Sequence, residues 1–233
     1  MAALATGAAK DLPQVRWAEP ERPAPHGLIV FDEGIGTIAH DGWPVPVDAV
    51  AWTVQPYGLL FGFFFRRVRA ELYLAEVGRD VDTSRLPALM PCGIIDVAIH
   101  DDWRPTTDLH PAERTVLTTV AATWMLMQQP GIVERERLEP DVKITRSYRR
   151  AGRPAPEVTL VELRRSYHAA AGPVEEDEPG RHYRHRWVVR GHWRQQAYGP
   201  QRSLRRQTWI PSHIKGPDGA ELLETTIVNV WRR

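Results

Sequence analysis

Cysteine is almost absent from this chain. Cys92 is the only one among 233 residues, which rules out an internal disulfide and a cysteine-based zinc site. Long apolar runs are missing too. Nothing reaches the roughly 18 consecutive apolar residues a membrane span needs, and no membrane partner is expected. Met1 to Ala9 is small and mildly apolar, without a basic stretch leading into an apolar core, so it does not read as a signal peptide and a cytoplasmic address is expected. No glycine-rich phosphate loop is visible, because the GxG of Gly34 and Gly36 lacks its third glycine. No cofactor is expected. Carboxylates are also missing from one stretch: between Arg181 and Arg206 there are eight arginines and no Asp or Glu.

Three histidines (His182, His185, His192), two tryptophans (Trp187, Trp193) and two tyrosines (Tyr183, Tyr198) are interleaved with those arginines. Guanidinium forks suit phosphate, and aromatic faces stack on bases or on guanidinium planes. The stretch therefore points to a polyanion or an acidic partner surface. The net charge of +1 conceals an asymmetry: residues 1–130 hold ten Lys/Arg against sixteen Asp/Glu, and residues 131–233 hold twenty against thirteen. Such an imbalance between halves directs the basic half towards an anionic partner. The alternative is internal pairing of the arginines with the acidic N-terminal half. The cluster Glu175, Glu176, Asp177, Glu178 reads as a solvated linker or as an internal counter-ion to the basic face.

Hydrophobic and charged fractions of 42% and 25% are those of a globular protein, and twenty prolines imply many turns and few long helices. Residues 1–27, with Pro13, Pro20, Pro23 and Pro25 and little apolar periodicity, read as an extended arm. Gly27 to Ala39 reads as strand, turn and strand. Val45 to Val54, punctuated by Pro44, Pro46 and Pro56, is expected at a sheet edge or as a helix start. Tyr57 to Phe65 and Ile94 to Ile99 are buried-strand candidates, the former also compatible with a core helix. The clearest helix runs from Pro111 to Gln129, with Val116, Leu117, Val120, Ala121, Trp124, Leu126 and Met127 recurring at spacings of three and four. A second, charged helix is expected over Glu134 to Tyr148, and a period-two strand over Glu157 to Arg165. The last fifty residues read as a small antiparallel sheet with strands near Arg186–Arg194, Arg206–Ile214 and Thr225–Trp231.

The resulting expectation is an α+β protein: an extended arm at 1–27, an N-terminal α/β region at 28–130 with one long buried helix, a connector at 131–180 with one strand, and a basic antiparallel sheet at 181–233. In a regular strand, Arg186, Val188, Arg190, His192 and Arg194 share one face, while Trp187, Val189, Gly191 and Trp193 share the other. The candidate nucleic-acid-binding residues are Arg186, Arg190, His192, Trp193, Arg194, Tyr198, Arg205 and Arg206. A metal-independent ribonuclease is one alternative, since His192, His213, Arg190, Arg194 and Tyr198 supply acid, base and cation types. A protein-interaction module with a tryptophan-rich surface and an acidic partner is another. His182, His185, His192 and His213 do not invite a metal, because the surrounding arginines oppose a divalent cation. The carboxylate group Asp96, Asp101, Asp102 and Asp108 with His100 has the residue types to bind a hard cation, but reads first as the polar end of a strand.

The string HRWVVRGHWRQQAYG (His185–Gly199), followed by RRQTWIPSHIKG (Arg205–Gly216), resembles the tail of a group of bacterial plasmid, phage and integrative-element proteins. RRAGRPAPEVTLVELRR (Arg149–Arg165) has the placement of their basic, proline-bearing lead into a strand. The group is similar to the anti-CRISPR family of type V-A inhibitors that lower production of their target nuclease by engaging the nascent effector chain and causing loss of its message. The resemblance covers about residues 130–233 and nominates Arg190, Gly191, His192, Trp193, Trp209 and Pro211 as signature positions. The resemblance implies a mobile-element protein, an anti-CRISPR-like inhibitor being one form it could take; together with the basic face, the expected function is non-catalytic binding of RNA or a ribonucleoprotein.

Overall fold

The computed structural model describes residues 2–19, 21–40, 42–79, 82–155, 158–163, 184–217 and 219–221. The fold is of the α+β class, and the chain divides into two compact units, 1–165 and 166–233. The first unit begins with α1 (Ala2–Lys10), β1 (Gln14–Val15), β2 (His26–Val30), β3 (Thr37–His40), β4 (Trp43–Pro46), β5 (Ala49–Gln55), β6 (Gly58–Arg66) and α2 (Arg67–Glu76). It continues through β7 (Leu89–Val97), β8 (Arg104–Pro105), α3 (Pro111–Met127), β9 (Val133–Leu138), α4 (Val142–Arg150) and β10 (Val158–Leu163). The second unit contains β11 (Trp187–Val189), β12 (His192–Tyr198), β13 (Leu204–Ile210) and β14 (His213–Lys215).

The centre of the first unit is an antiparallel sheet in the order β2-β5-β6-β7. Along β6 burial alternates strictly, placing Leu59, Phe61, Phe63 and Phe65 on one face. The register pairs Val50 with Phe63 and Trp52 with Phe61, so β5 contributes to that same face. Helix α3 lies on it through Trp124, whose ring centroid stands 5.0 Å from Trp52 and 5.7 Å from both Phe61 and Trp17. Gly27 makes room for this cluster, since a Cβ there would stand 2.5 Å from Cζ2 of Trp52.

Helix α3 is buried from Val116 to Leu126 because a second helix, α1, packs against it. A helix apolar all round needs cover on more than one side. The buried threonines Thr118, Thr119 and Thr123 remain satisfied by donating to the carbonyls of Arg114, Thr115 and Thr119, each at 2.7 Å.

Four sequence expectations need correction. Residues 2–10 are a helix rather than part of an extended arm, and Leu12, Val15 and Trp17 behind it belong to the core. Alanine is the best helix former and its small side chain permits close helix packing; five alanines in nine residues supply both without any apolar stripe. β5 is an interior strand, flanked by β2 and β6, because the prolines around it lie outside its span: Pro44 and Pro46 are in the β3–β4 hairpin and Pro56 is in the turn. The charged segment after Gly131 is not one helix. Glu134, Arg135, Glu136 and Arg137 lie in β9, paired antiparallel with β10 from Val133↔Leu163 to Leu138↔Val158, and helix starts only after Pro140. Helix α2 was not anticipated. The strand expected near Thr225–Trp231 and the cluster Glu175–Glu178 lie outside the described residues.

Arg66, Arg67 and Arg69, which follow the most apolar segment, have structural partners. Asp48 is fully buried; it accepts the Arg66 backbone N–H at 2.9 Å and pairs with Arg69 Nε at 2.9 Å. Arg66 also reaches Asp32, at 2.9 Å to the carboxylate and again to its carbonyl. Arg67 donates to the Ser84 and Leu86 carbonyls. Burial, reinforced by the neighbouring Asp48 charge, pushes the Cys92 thiol up to about 12, so this cysteine behaves as a small apolar residue with an unreactive sulfur.

Candidate nucleic-acid interface

The arginine-rich stretch folds into a two-stranded antiparallel ribbon. β12 and β13 pair from His192↔Ile210 to Tyr198↔Leu204, and β11 and β14 pair as Trp187↔Lys215, Val188↔Ile214 and Val189↔His213. The two ladders share one register. Continuing the first past its end places Gly191 opposite Pro211 and Arg190 opposite Ser212, and the next pair is Val189↔His213. The expected strands 186–194 and 206–214 are therefore each broken once. Proline has no N–H to give to a ladder, and the break falls at Pro211. Gly191 is fitted to the same place, because a Cβ on it would stand 2.6 Å from Cζ2 of Trp209.

Directly opposed residues of an antiparallel pair share a face, and faces alternate along each strand. The unbroken register sorts the whole ribbon by this rule. One face carries Val188, Arg190, His192, Arg194, Gln196 and Tyr198 on the first arm, with Leu204, Arg206, Thr208, Ile210, Ser212 and Ile214 on the second. The other face carries Trp187, Val189, Gly191, Trp193, Gln195 and Ala197, opposed by Lys215, His213, Pro211, Trp209, Gln207 and Arg205. Burial follows the same division. Trp209 and Gln207 are buried and Trp193 is half-buried, its ring edge-on to Trp209 at 5.3 Å. Arg190, His192, Arg194 and Arg206 are exposed.

The sequence-nominated residues therefore separate into two groups. Arg190, His192, Arg194, Tyr198 and Arg206 are brought together on the exposed face. Arg206 lays its guanidinium over the Tyr198 ring at 5.3 Å from the centroid. His192 Nδ1 lies 3.1 Å from the Arg190 carbonyl, an acceptor that places a proton on Nδ1. Trp193 is on the opposite, tryptophan-bearing face. Arg205 is on that face too, and its Nη1 donates to the Arg202 carbonyl at 3.0 Å beneath the turn. Arg186 is half-buried; its Nε donates to the Ala220 carbonyl at 2.8 Å and its backbone N–H to the Glu221 carbonyl. That fastens it to the following turn.

The ribbon carries no carboxylate on either arm, and Arg194 and Arg206 have no carboxylate partner among the described residues. The acid–base pair proposed for a ribonuclease does not assemble, because His192 and His213 face opposite sides of the ribbon. His213 Nδ1 meets the Pro211 carbonyl at 3.0 Å on its own side. Among the described residues no group of His, Cys, Asp or Glu is placed to hold a metal, and the set Asp96, His100, Asp101, Asp102 and Asp108 does not converge. No described helix is long and apolar enough to cross a membrane. No protein-family model, curated protein or solved structure matches the chain.

Proposed function

We propose that this is a non-catalytic nucleic-acid-binding protein whose exposed ribbon face holds RNA, free or within a ribonucleoprotein, in the cytoplasm. The observation that carries this reading is the single face on which Arg190, His192, Arg194 and Arg206 stand exposed, on a ribbon whose two arms contain no Asp or Glu in sequence. Alternate residues of one strand lie about 6.7 Å apart, close to the separation of successive phosphates along an extended polynucleotide. His192 and Arg194 of β12 have this spacing, with Arg190 preceding them across the break at Gly191. Arg206, held over the Tyr198 ring, offers with it a surface on which a base can stack, and base stacking of this kind tolerates any sequence. The role of a mobile-element protein acting on a nuclease ribonucleoprotein is compatible with such a face.

A full-length chain titrated with mixed-sequence single-stranded RNA, followed by fluorescence anisotropy across a salt series, tests this reading. Each phosphate contact contributes about 0.7 to the slope of log affinity against log salt for a single strand. Arg194→Ala with Arg206→Ala should lower that slope by about 1.4. An unchanged affinity and slope would overturn the reading.

One observation favours a second reading. Val188 and Ile214 are cross-strand partners on the same face, exposed at 55% and 54%. With the arginines they make a mixed apolar and cationic surface suited to an acidic protein. Recovery of a bound protein that survives nuclease treatment, with no RNA bound, would place this reading first.

A further inference from the structure

We propose that α4, in the first unit, is a phosphate-binding surface in addition to the ribbon, and that its occupant is a nucleic-acid backbone. The helix lies in the long connection between β9 and β10 and is terminated at both ends. Asp141 Oδ1 accepts the Lys143 N–H at 2.7 Å. At the other end Gly152 takes a φ of +66°, its N–H reaches the Arg149 carbonyl at 3.0 Å, and the Arg153 N–H reaches the Tyr148 carbonyl at 3.0 Å. That pair of bonds is the Schellman arrangement. The helix nevertheless buries nothing. Thr145 is half-buried and every other residue from Val142 to Arg150 is exposed.

A nine-residue helix gains little from propensity alone, and this one gains nothing from a buried face, so its caps position a set of outward side chains. At 3.6 residues per turn, Lys143, Arg146, Arg149 and Arg150 fall within about a third of the circumference, at spacings of three and four. Like charges at those spacings repel. A solvated helix relieves such repulsion with interleaved glutamates, but no carboxylate lies between Asp141 and Glu157 in the sequence. Among the described residues no carboxylate pairs with Lys143, Arg146, Arg149, Arg150 or Arg153. An external polyanion supplies the missing countercharge.

The residue types favour a nucleic acid over a lipid surface. Four of the five cations are arginine, whose fork engages two phosphate oxygens at once. Opposite them stand only Ile144 and Tyr148, because Val142 falls on the cationic side. An interfacial helix needs a broader apolar face to enter the headgroup layer. Ile144 and Tyr148, one turn apart and exposed at 45% and 38%, make only a narrow apolar strip on the far side of the helix from the cationic arc.

The test uses the full chain carrying Arg146→Ala, Arg149→Ala and Arg150→Ala, the ribbon double variant Arg194→Ala with Arg206→Ala, and their combination. Arg146→Gln with Arg150→Gln, which keeps good helix formers, serves if the triple variant misfolds. The probe is mixed-sequence single-stranded RNA between about 50 and 200 mM salt, where phosphate-dominated affinity falls steeply. Loss of three contacts should lower the salt slope by about 2 with the thermal midpoint unchanged, in the presence or absence of the ribbon substitutions. If only the ribbon variant loses affinity, the α4 assignment falls and the ribbon reading stands. If only the α4 variant does, the ribbon reading falls and this one stands. If phosphatidylserine vesicles capture the wild type but not the α4 variant while RNA binding is unaffected, α4 is a lipid surface and the assignment is wrong.

Discussion

The indole of Trp209 occupies the space that a side chain at Gly191 would need, with Cζ2 only 2.6 Å from the position of a Cβ. The two residues sit on opposite arms of the ribbon, Gly191 at the break in the ladder and Trp209 inside it, opposite Trp193. Gly191→Ala should therefore displace the indole and its edge-on partner Trp193. Overpacking of this kind costs typically about 1–3 kcal/mol. A fall in thermal midpoint with altered near-ultraviolet circular dichroism is expected. An unchanged tryptophan signal would show that the ring is not held there.

The division of faces gives a prediction that composition alone does not. Arg194→Ala should weaken RNA binding and lower the salt slope by about 0.7. Arg205→Ala, on the tryptophan-bearing face and bonded to the Arg202 carbonyl, should leave the slope unchanged. Equal losses from both would mean that binding follows net charge and not the face.

Trp124 joins α3 to the sheet through Trp52, Phe61 and Trp17 and is 1% exposed. Trp124→Ala should cost about 3–5 kcal/mol, the range for a buried aromatic truncated in a core. Urea unfolding monitored by far-ultraviolet circular dichroism measures it.

Asp48 holds a backbone N–H and the Arg69 guanidinium from a fully buried position. Asp48→Ala removes both partners and should cost about 3–5 kcal/mol, as for a broken buried pair. Asp48→Asn keeps an oxygen acceptor for the Arg66 N–H and should cost less. A ranking in the opposite order, by chemical denaturation, would show that an acceptor for the Arg66 N–H is not what Asp48 contributes.

Cys92 should remain unreactive to a thiol reagent at neutral pH in the folded protein and react once denaturant is added. Because folding raises its pKa from 9.0 to about 12, the unfolded chain loses the thiol proton first. The buried neutral thiol contributes its full stabilisation below pH 9.0 and loses it as pH rises towards about 12. Cys92→Ala should flatten the alkaline limb of the stability profile.

The elements with a single strong period were legible in the sequence. α3 and β10 follow from apolar spacing and the turn before β3 from its glycines, whereas the unbroken apolar run of β6 left strand and core helix both open. What escaped detection depended on partners distant in sequence. α1 has no stripe because alanine contacts α3 without one, and β5 looked like an edge because its flanking prolines belong to a neighbouring hairpin. The alternating charges of β9 read as a helix until its pairing with β10 gave them period two. At the ribbon, strand alternation in the sequence already set Trp193 on the face opposite Arg190 and Arg194, but nothing in it set Arg205 and Arg186 apart from them. That follows from the register and from bonds to Arg202 and Ala220. Asp48 offered no local signal at all, as its arginines lie some twenty residues onward.

The shared register of the two ladders makes chain length, rather than residue identity, the sensitive variable of the ribbon. Losing or gaining one residue on a single arm beside Gly191 or Pro211 would exchange the faces of everything beyond it, turning tryptophans to water and guanidiniums inward. Substitutions along the exposed row change the character of the surface by degrees. A one-residue slip inverts it in a single step, so drift in this region should proceed by replacement while the count between Trp187 and Lys215 stays fixed.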